Sequence, residues 1–403
     1  MLNDSVILLI KLKQLHKIIL TKILILSVLN LKGSDFDTTS ILKKIDLQIE
    51  STSSINKMYN FQFDDAEKEF LWLSQEYKNH PLPSFLLGLS MWWKIDASSG
   101  KAEKITKNLD NKFLAQMDKT IDKAYDIYKE GNKIDGAFFL AASFAFKGRL
   151  LADRKKWTQS ALSGRNAIKY LKEIKKNDMM IPEIDFGNGL FNYYSVWISD
   201  RYPLLKPLVK LFPEGDKLKG IEQLDNASGN SFYTRTEAQF FLMRIYLSER
   251  KLSKALQLSK YLHDTYPNNS VFHKYYTQIL YQNGRISEAF LSARDIIKKY
   301  KLNTFGYNQD EARISHFFIG EYYFAKMDFK NAVINYEKAI KLAEISGKEK
   351  LGYSFYSHYY LGKIYFDMGD FKKSKVYFKN VIKLTNRKDE LNQRAKLNLK
   401  KIK

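Results

Sequence analysis

From Asp46 onward, apolar residues recur at three- and four-residue spacings, and no stretch alternates for long in the manner of a strand. Short turn signals interrupt the pattern: "NHPLP" at 79–83, "KEGN" at 129–132, "YPNNS" at 266–270 and "QNGR" at 282–285. They divide the chain into amphipathic helices of about 12–17 residues, each with one face to bury. The pattern predicts an all-α protein.

The helices repeat. "YYLGKIYFDMGDFKKSKVYF" (359–378) echoes "FFIGEYYFAKMDFKNAVINY" (317–336). Gly320 pairs with Gly362, Tyr323 with Tyr365, and Asp328-Phe329 with Asp370-Phe371, always 42 residues apart (320 to 362). A constant offset across so many positions is the mark of a structural repeat. Shorter steps occur elsewhere: units begin at Thr236 and Ser270, and at Leu47 and Pro81, each pair 34 residues apart (236 to 270, 47 to 81).

The repeat resembles the tetratricopeptide repeat, a helix-turn-helix unit of about 34 residues. The unit from Phe355 supplies His358, Leu361-Gly362, Tyr365, Ser374, Phe378 and Val381 at the family's motif positions. The unit from Arg313 supplies His316, Ile319-Gly320, Tyr323, Ala332, Tyr336 and Ala339. The unit from Ser270 has His273, Leu280, Gly284 and Ala289; that from Thr236 has Leu242, Tyr246, Ala255, Leu262 and Pro267. The likeness is good over 236–388, fair over 47–95 and weak between, where 136–171 reads as a longer helical pair. It implies one α-solenoid of about six to seven helical pairs, each stacked on its neighbours.

One block departs from the pattern. In 185–228, two helices (Asp185 to Ser199 and Gly215 to Ser228) flank an apolar, proline-bearing insert from Tyr202 to Pro213. Together with "MWWKI" (91–95) and "TRTEAQFFLMRIY" (234–246), this block resembles a bacterial family of often exported tetratricopeptide-repeat proteins. A fainter similarity links the chain to eukaryotic repeat proteins of the mitochondrial outer membrane. The expected layout is a signal or N-terminal helix at 1–33, divergent repeats at 34–235, four repeats at 236–388 and a basic helix or tail at 389–403. Lys11, Lys13, Lys17 and Lys22 precede the apolar run Ile23 to Leu31, the order of a secretory signal. Export to the periplasm is therefore expected, with a cytoplasmic protein carrying an amphipathic N-terminal helix as the alternative.

Composition narrows the chemistry. The chain of 403 residues has no cysteine, which excludes disulfides, a thiol nucleophile and thiolate metal sites. The charge of +22 would attract anionic partners, but lysine dominates over the arginine that reads phosphate bidentately, which disfavours nucleic acid. Gly131 to Gly136 is followed by Ala137-Phe138 and offers no phosphate-binding lysine, and "GNG" at 187–189 follows no strand. No histidine lies in an H-E-x-x-H motif. His273, His316 and His358 share position 4 of successive units, a position that packs between paired helices, so they read as core residues rather than metal ligands. No catalytic residue, cofactor, metal or small-molecule substrate is expected.

The remaining candidate is the concave groove, which the resemblance places on the first helix of each unit. It is lined by Phe240 and Arg244, by Lys274, Gln278 and Tyr281, by Phe317, Glu321 and Phe324, and by Tyr356, Tyr359, Lys363 and Phe366. Aromatic residues beside isolated charges suit an extended peptide or a partner helix. The same residues would equally serve as packing against a neighbouring helix. The family's carboxylate clamp is not reproduced, because Phe317 and Glu321 follow Lys274 and Gln278. A protein-binding scaffold or assembly factor is the expected function. The alternative is a peripheral protein docked on a membrane surface through 202–213 and its lysine-rich faces.

Overall fold

The computed structural model describes residues 40–98, 103–174, 181–210 and 212–402. The chain divides into two compact units, Met1–Lys44 and Ile45–Lys403. The described part of the first forms a 3-10 turn, Ile41–Lys43. The expected signal at 1–33 lies outside the described residues.

The second unit is a solenoid of helical hairpins. In order these are α1 (Ile45–Tyr59) with α2 (Phe63–Glu76), α3 (Pro81–Ala97) with α4 (Glu103–Lys129), α5 (Lys133–Asp153) with α6 (Trp157–Glu173), and α7 (Ile181–Arg201) with α8 (Lys217–Asn230). Then follow α9 (Arg235–Ser248) with α10 (Leu252–Thr265), α11 (Ser270–Gln282) with α12 (Ile286–Lys301), α13 (Gln309–Ala325) with α14 (Phe329–Ile345), and α15 (Gly352–Asp367) with α16 (Phe371–Leu384). A last helix, α17 (Glu390–Lys401), closes the stack. The described residues thus hold eight hairpins rather than six or seven. The extra pairs come from 100–235, where the motif fades but the helical period persists.

The recurring residues now have physical reasons. A Cβ on Gly320 would stand 2.7 Å from the Tyr336 ring, and one on Gly362 would stand 2.8 Å from the Phe378 ring. Glycine in the first helix therefore makes room for the aromatic of the second, and both rings are buried. Asp328 and Asp370 cap α14 and α16, accepting from the backbone N–H of Asn331 (3.1 Å) and Lys373 (3.0 Å). The turn inside each of six hairpins needs one residue at positive φ. Gly284 and Gly369 supply it without cost, whereas Phe61, Lys155, Arg250 and Met327 adopt it with a side chain.

The three motif histidines lie inside their own hairpins. His273 is bonded to Ser292 of α12 (3.1 Å) and to Tyr307 (3.1 Å), His316 to Asn335 of α14 (2.9 Å), and His358 packs on Tyr377 of α16. Burial depresses the pKa of all three, that of His358 to about 4, so they stay neutral near pH 7.

The solenoid also folds back on itself within the second unit. Asn269 donates to the Tyr59 carbonyl (2.8 Å), Tyr266 donates to Asn56 (3.1 Å), and Asn308 donates to the Ala97 carbonyl (3.2 Å). Phe305 meets Phe61 and Phe63 edge-on. The first two hairpins are thereby tied to the loops that follow α10 and α12.

The glycine–aromatic packing makes a signed prediction. Gly320→Ala forces a methyl group onto a ring that has nowhere to move and should lower stability by roughly 1–3 kcal/mol. Gly229→Ala, where a Cβ meets nothing within 4 Å, should instead raise stability by up to about 1 kcal/mol. Urea unfolding of both variants checks the pair; equal effects would refute the packing explanation.

Candidate functional site

The inner face of the solenoid begins at α9. Phe240 is 1% exposed, because Trp93 of α3 is inserted against it. The Trp93 ring lies 5.5 Å from Phe240 and 5.2 Å from Phe272 of α11, and its indole N–H donates to Glu237 (2.9 Å). Glu237 also faces Arg149 of α5 at 3.9 Å. That guanidinium stacks over Trp92 (4.1 Å) and Phe241 (4.7 Å). Arg244 sits one turn further along α9, against Phe240, Phe241 and Tyr275.

The next two charged residues are committed to joining hairpins. Lys274 donates to Glu311 of α13 (2.9 Å), and Glu311 also closes the N-terminal cap of that helix with Asn308. Glu311 and Asp310 together outweigh burial and raise the lysine's pKa. Glu321 accepts from Tyr281 (2.5 Å) on the preceding hairpin and from Tyr336 (2.5 Å) on its own. Burial pushes this carboxyl up, opposed by its phenol donors Tyr281, Tyr336 and Tyr360.

Three residues placed in the groove by sequence are therefore core residues. Phe240, Phe317 and Glu321 are buried, and Phe317 packs against Tyr353 (4.9 Å), Tyr281 (6.0 Å) and Tyr336 (6.0 Å). Motif positions define which way a side chain points; they do not say what the chain later lays across it. Arg244, Lys274, Gln278 and Tyr281 are half-buried.

The inner face is more open at the end of α13 and on α15. Tyr356 is 44% exposed. Lys363, two turns further along the same helix, lies over the half-buried Phe324 ring (5.5 Å). Phe324 in turn leans on Tyr360 (5.1 Å). Tyr359 accepts a hydrogen bond from Asn398 of α17 (3.2 Å), and Phe366 packs on Phe371 and the cluster that α17 helps to form. Those two are drawn toward the closing helix, while Tyr356 is the exposed member of the set and Phe324 and Lys363 are half-buried.

Among the described residues no group of three histidine, aspartate or glutamate side chains is arranged to hold a metal ion. A shallow hollow of about 340 Å³ lies between α4, α5 and α6, lined by Leu114, Asp118, Lys147 and Leu162 among others. Lys147 and Asp118 are paired with each other across it, and no catalytic pair presents itself there.

Residues 315–345 and 356–387 match the tetratricopeptide repeat family, and these two hairpins are tetratricopeptide repeats. Solved structures show distant similarity. BtubC from P. vanneervenii is 13% identical, with 55% of this chain and 82% of that one covered at a TM-score of 0.36. The C-terminal part of a repeat-containing protein from Cytophaga hutchinsonii is 12% identical, with 87% and 99% covered at 0.26. Yeast Tom70 is 13% identical, with 88% and 96% covered at 0.24. No curated protein matches the chain.

Glu237 provides a test of how the inner face is held. Burial raises its carboxyl to about 7, with Arg149 and the Trp93 bond opposing. An acid whose folded pKa exceeds its ordinary 4.5 contributes stability below pH 4.5 and loses it as the pH climbs through 7. Between pH 5 and 8 the native chain should lose on the order of 2–3 kcal/mol relative to Glu237→Gln, at ~1.4 kcal/mol per pKa unit. Chemical denaturation of both proteins across this range measures it; parallel pH profiles would show that Glu237 does not titrate there.

Proposed function

We propose that this tetratricopeptide-repeat chain is a non-enzymatic scaffold or assembly factor. It would hold a protein or peptide against the open inner face of its last two hairpins. Repeats of this kind are protein-interaction modules, and the all-helical solenoid presents an extended surface rather than a catalytic cleft.

The observation that carries the reading is the contrast along the inner face. Phe240, Phe317 and Glu321 are covered by the chain itself, whereas Tyr356 remains 44% exposed and, two turns along the same helix, Lys363 lies over the half-buried Phe324 ring. An exposed tyrosine, a half-buried phenylalanine and a cation offer a ring to bury, an apolar floor and a hydrogen-bond donor for a peptide carbonyl or carboxylate. The order of the N-terminal lysines and apolar run supports placing this scaffold in an exported compartment, with the periplasm as the proposed location.

Affinity capture from a native extract, followed by titration of the captured partner, tests the site. Tyr356→Ala and Lys363→Ala should each weaken binding, the tyrosine by about 2 kcal/mol, with little change in melting temperature. Phe317→Ala should behave oppositely, costing roughly 3–5 kcal/mol of stability. Undiminished binding in the Tyr356 and Lys363 variants would move the contact surface off this face.

A further inference from the structure

We infer that the excursion between α7 and α8 is a lipid-contacting tip that seats the solenoid on an anionic membrane surface. It is the one hairpin connection built this way among those described. After Arg201 the chain makes a 3-10 turn (Pro203–Leu205) and a single helical turn (Lys206–Val209) before α8 begins at Lys217. Leu204 within it is 94% exposed, and Tyr202, two residues before, is also exposed. Leu204 is the most exposed large apolar side chain among the described residues, so the solenoid's own packing does not account for its position.

The tip is held in place. Tyr202 packs edge-on against Trp197 (6.0 Å), and its backbone N–H continues the α7 bonding to Ile198 (2.8 Å). On the far side, Phe212 lies against Phe191 of α7 and over Gly164 of α6, where a Cβ would stand only 3.7 Å from its ring. Both ends of the excursion are therefore anchored by aromatic contacts, while Leu204 between them is open to solvent.

Charge selects the occupant. Arg201, Lys206 and Lys210 are exposed within one turn or two of Leu204. Of the nearby acids, Asp200 is paired with Lys217 (2.9 Å) and Asp216 caps α8 through Leu218 and Lys219, leaving Glu214 alone toward solvent. An exposed leucine, an exposed tyrosine and three exposed long cationic side chains supply the groups suited to a bilayer's acyl region, headgroup boundary and phosphates. The chain's formal charge of +22 adds long-range attraction to an anionic surface. The contact proposed is peripheral; among the described residues no helix is long and apolar enough to span a bilayer.

Flotation of the full chain with vesicles tests this. Phosphatidylcholine vesicles with about a third phosphatidylglycerol should carry the protein upward, pure phosphatidylcholine vesicles should not, and raising the salt should release it. Leu204→Asp should lower partitioning at least tenfold without shifting the melting temperature, since the side chain touches little. Lys206→Glu with Lys210→Glu should do the same. Failure of the unaltered chain to float, or flotation unchanged by Leu204→Asp, overturns the proposal. So does a result in which Leu204→Asp abolishes capture of a protein partner while leaving flotation intact, because the tip is then a protein-docking element.

Discussion

The inner face of this solenoid depends on the seat of Trp93. A stack of hairpins in which each touches only the next would leave the middle first helices facing solvent. Here α3 lays an indole between Phe240 and Phe272 and hands its N–H to Glu237. Burying a ring of that size removes a large apolar area from water. It also strands a carboxylate in a place with almost no solvent, which is why Arg149 must approach and why the acid's proton affinity rises so far.

That one insertion decides what the neighbouring polar residues can do. Once Phe240 is covered, Arg244 serves against the rings around it. Lys274 and Tyr281 bridge to Glu311 and Glu321 on the next hairpin. A buried charge is tolerable only when paired, so each of these side chains spends its donors inside the chain. Beyond the reach of α3 the inner face is more open, with Tyr356 of α15 exposed. The division between a closed and an open stretch thus follows from where the N-terminal hairpins end.

The repeat was legible because its contacts are local. Gly320 and Tyr336 lie 16 residues apart (320 to 336), close enough that one hairpin settles their fit, and the same pair recurs as Gly362 and Phe378. Histidines at position 4 could likewise be read as packing between paired helices, and they bond or stack with Ser292, Asn335 and Tyr377 there. The insert was legible as an interruption in helical period. Fold-back of the chain was not, because a repeat pattern records each hairpin's neighbours and is silent about contacts across a turn of the superhelix. Trp93 stood out only as part of "MWWKI", and no spacing rule connects it to Glu237. The turns show the same limit. Gly284 and Gly369 announce a positive φ, whereas Phe61, Lys155, Arg250 and Met327 adopt it without a local residue signal.

The fold-back changes the energetics as well as the surface. In a strictly linear array, stability is a sum of repeat and nearest-neighbour terms, and the ends fray first. The bonds from Asn269 to Tyr59 and from Trp93 to Glu237 join residues far apart in sequence, so the first hairpins cannot open without exposing the inner face of the fifth and sixth. Those hairpins are then coupled as one block, and mutations across the seam should fail to add. Hairpins seven and eight carry fewer such ties and lean on α17 instead. A solenoid built this way keeps its rigid part where the chain grips itself. Its open aromatic face lies where the grip has ended, on helices whose stability rests on their own repeat packing. The exposed Tyr356 lies on a stretch that the fold-back contacts do not reach.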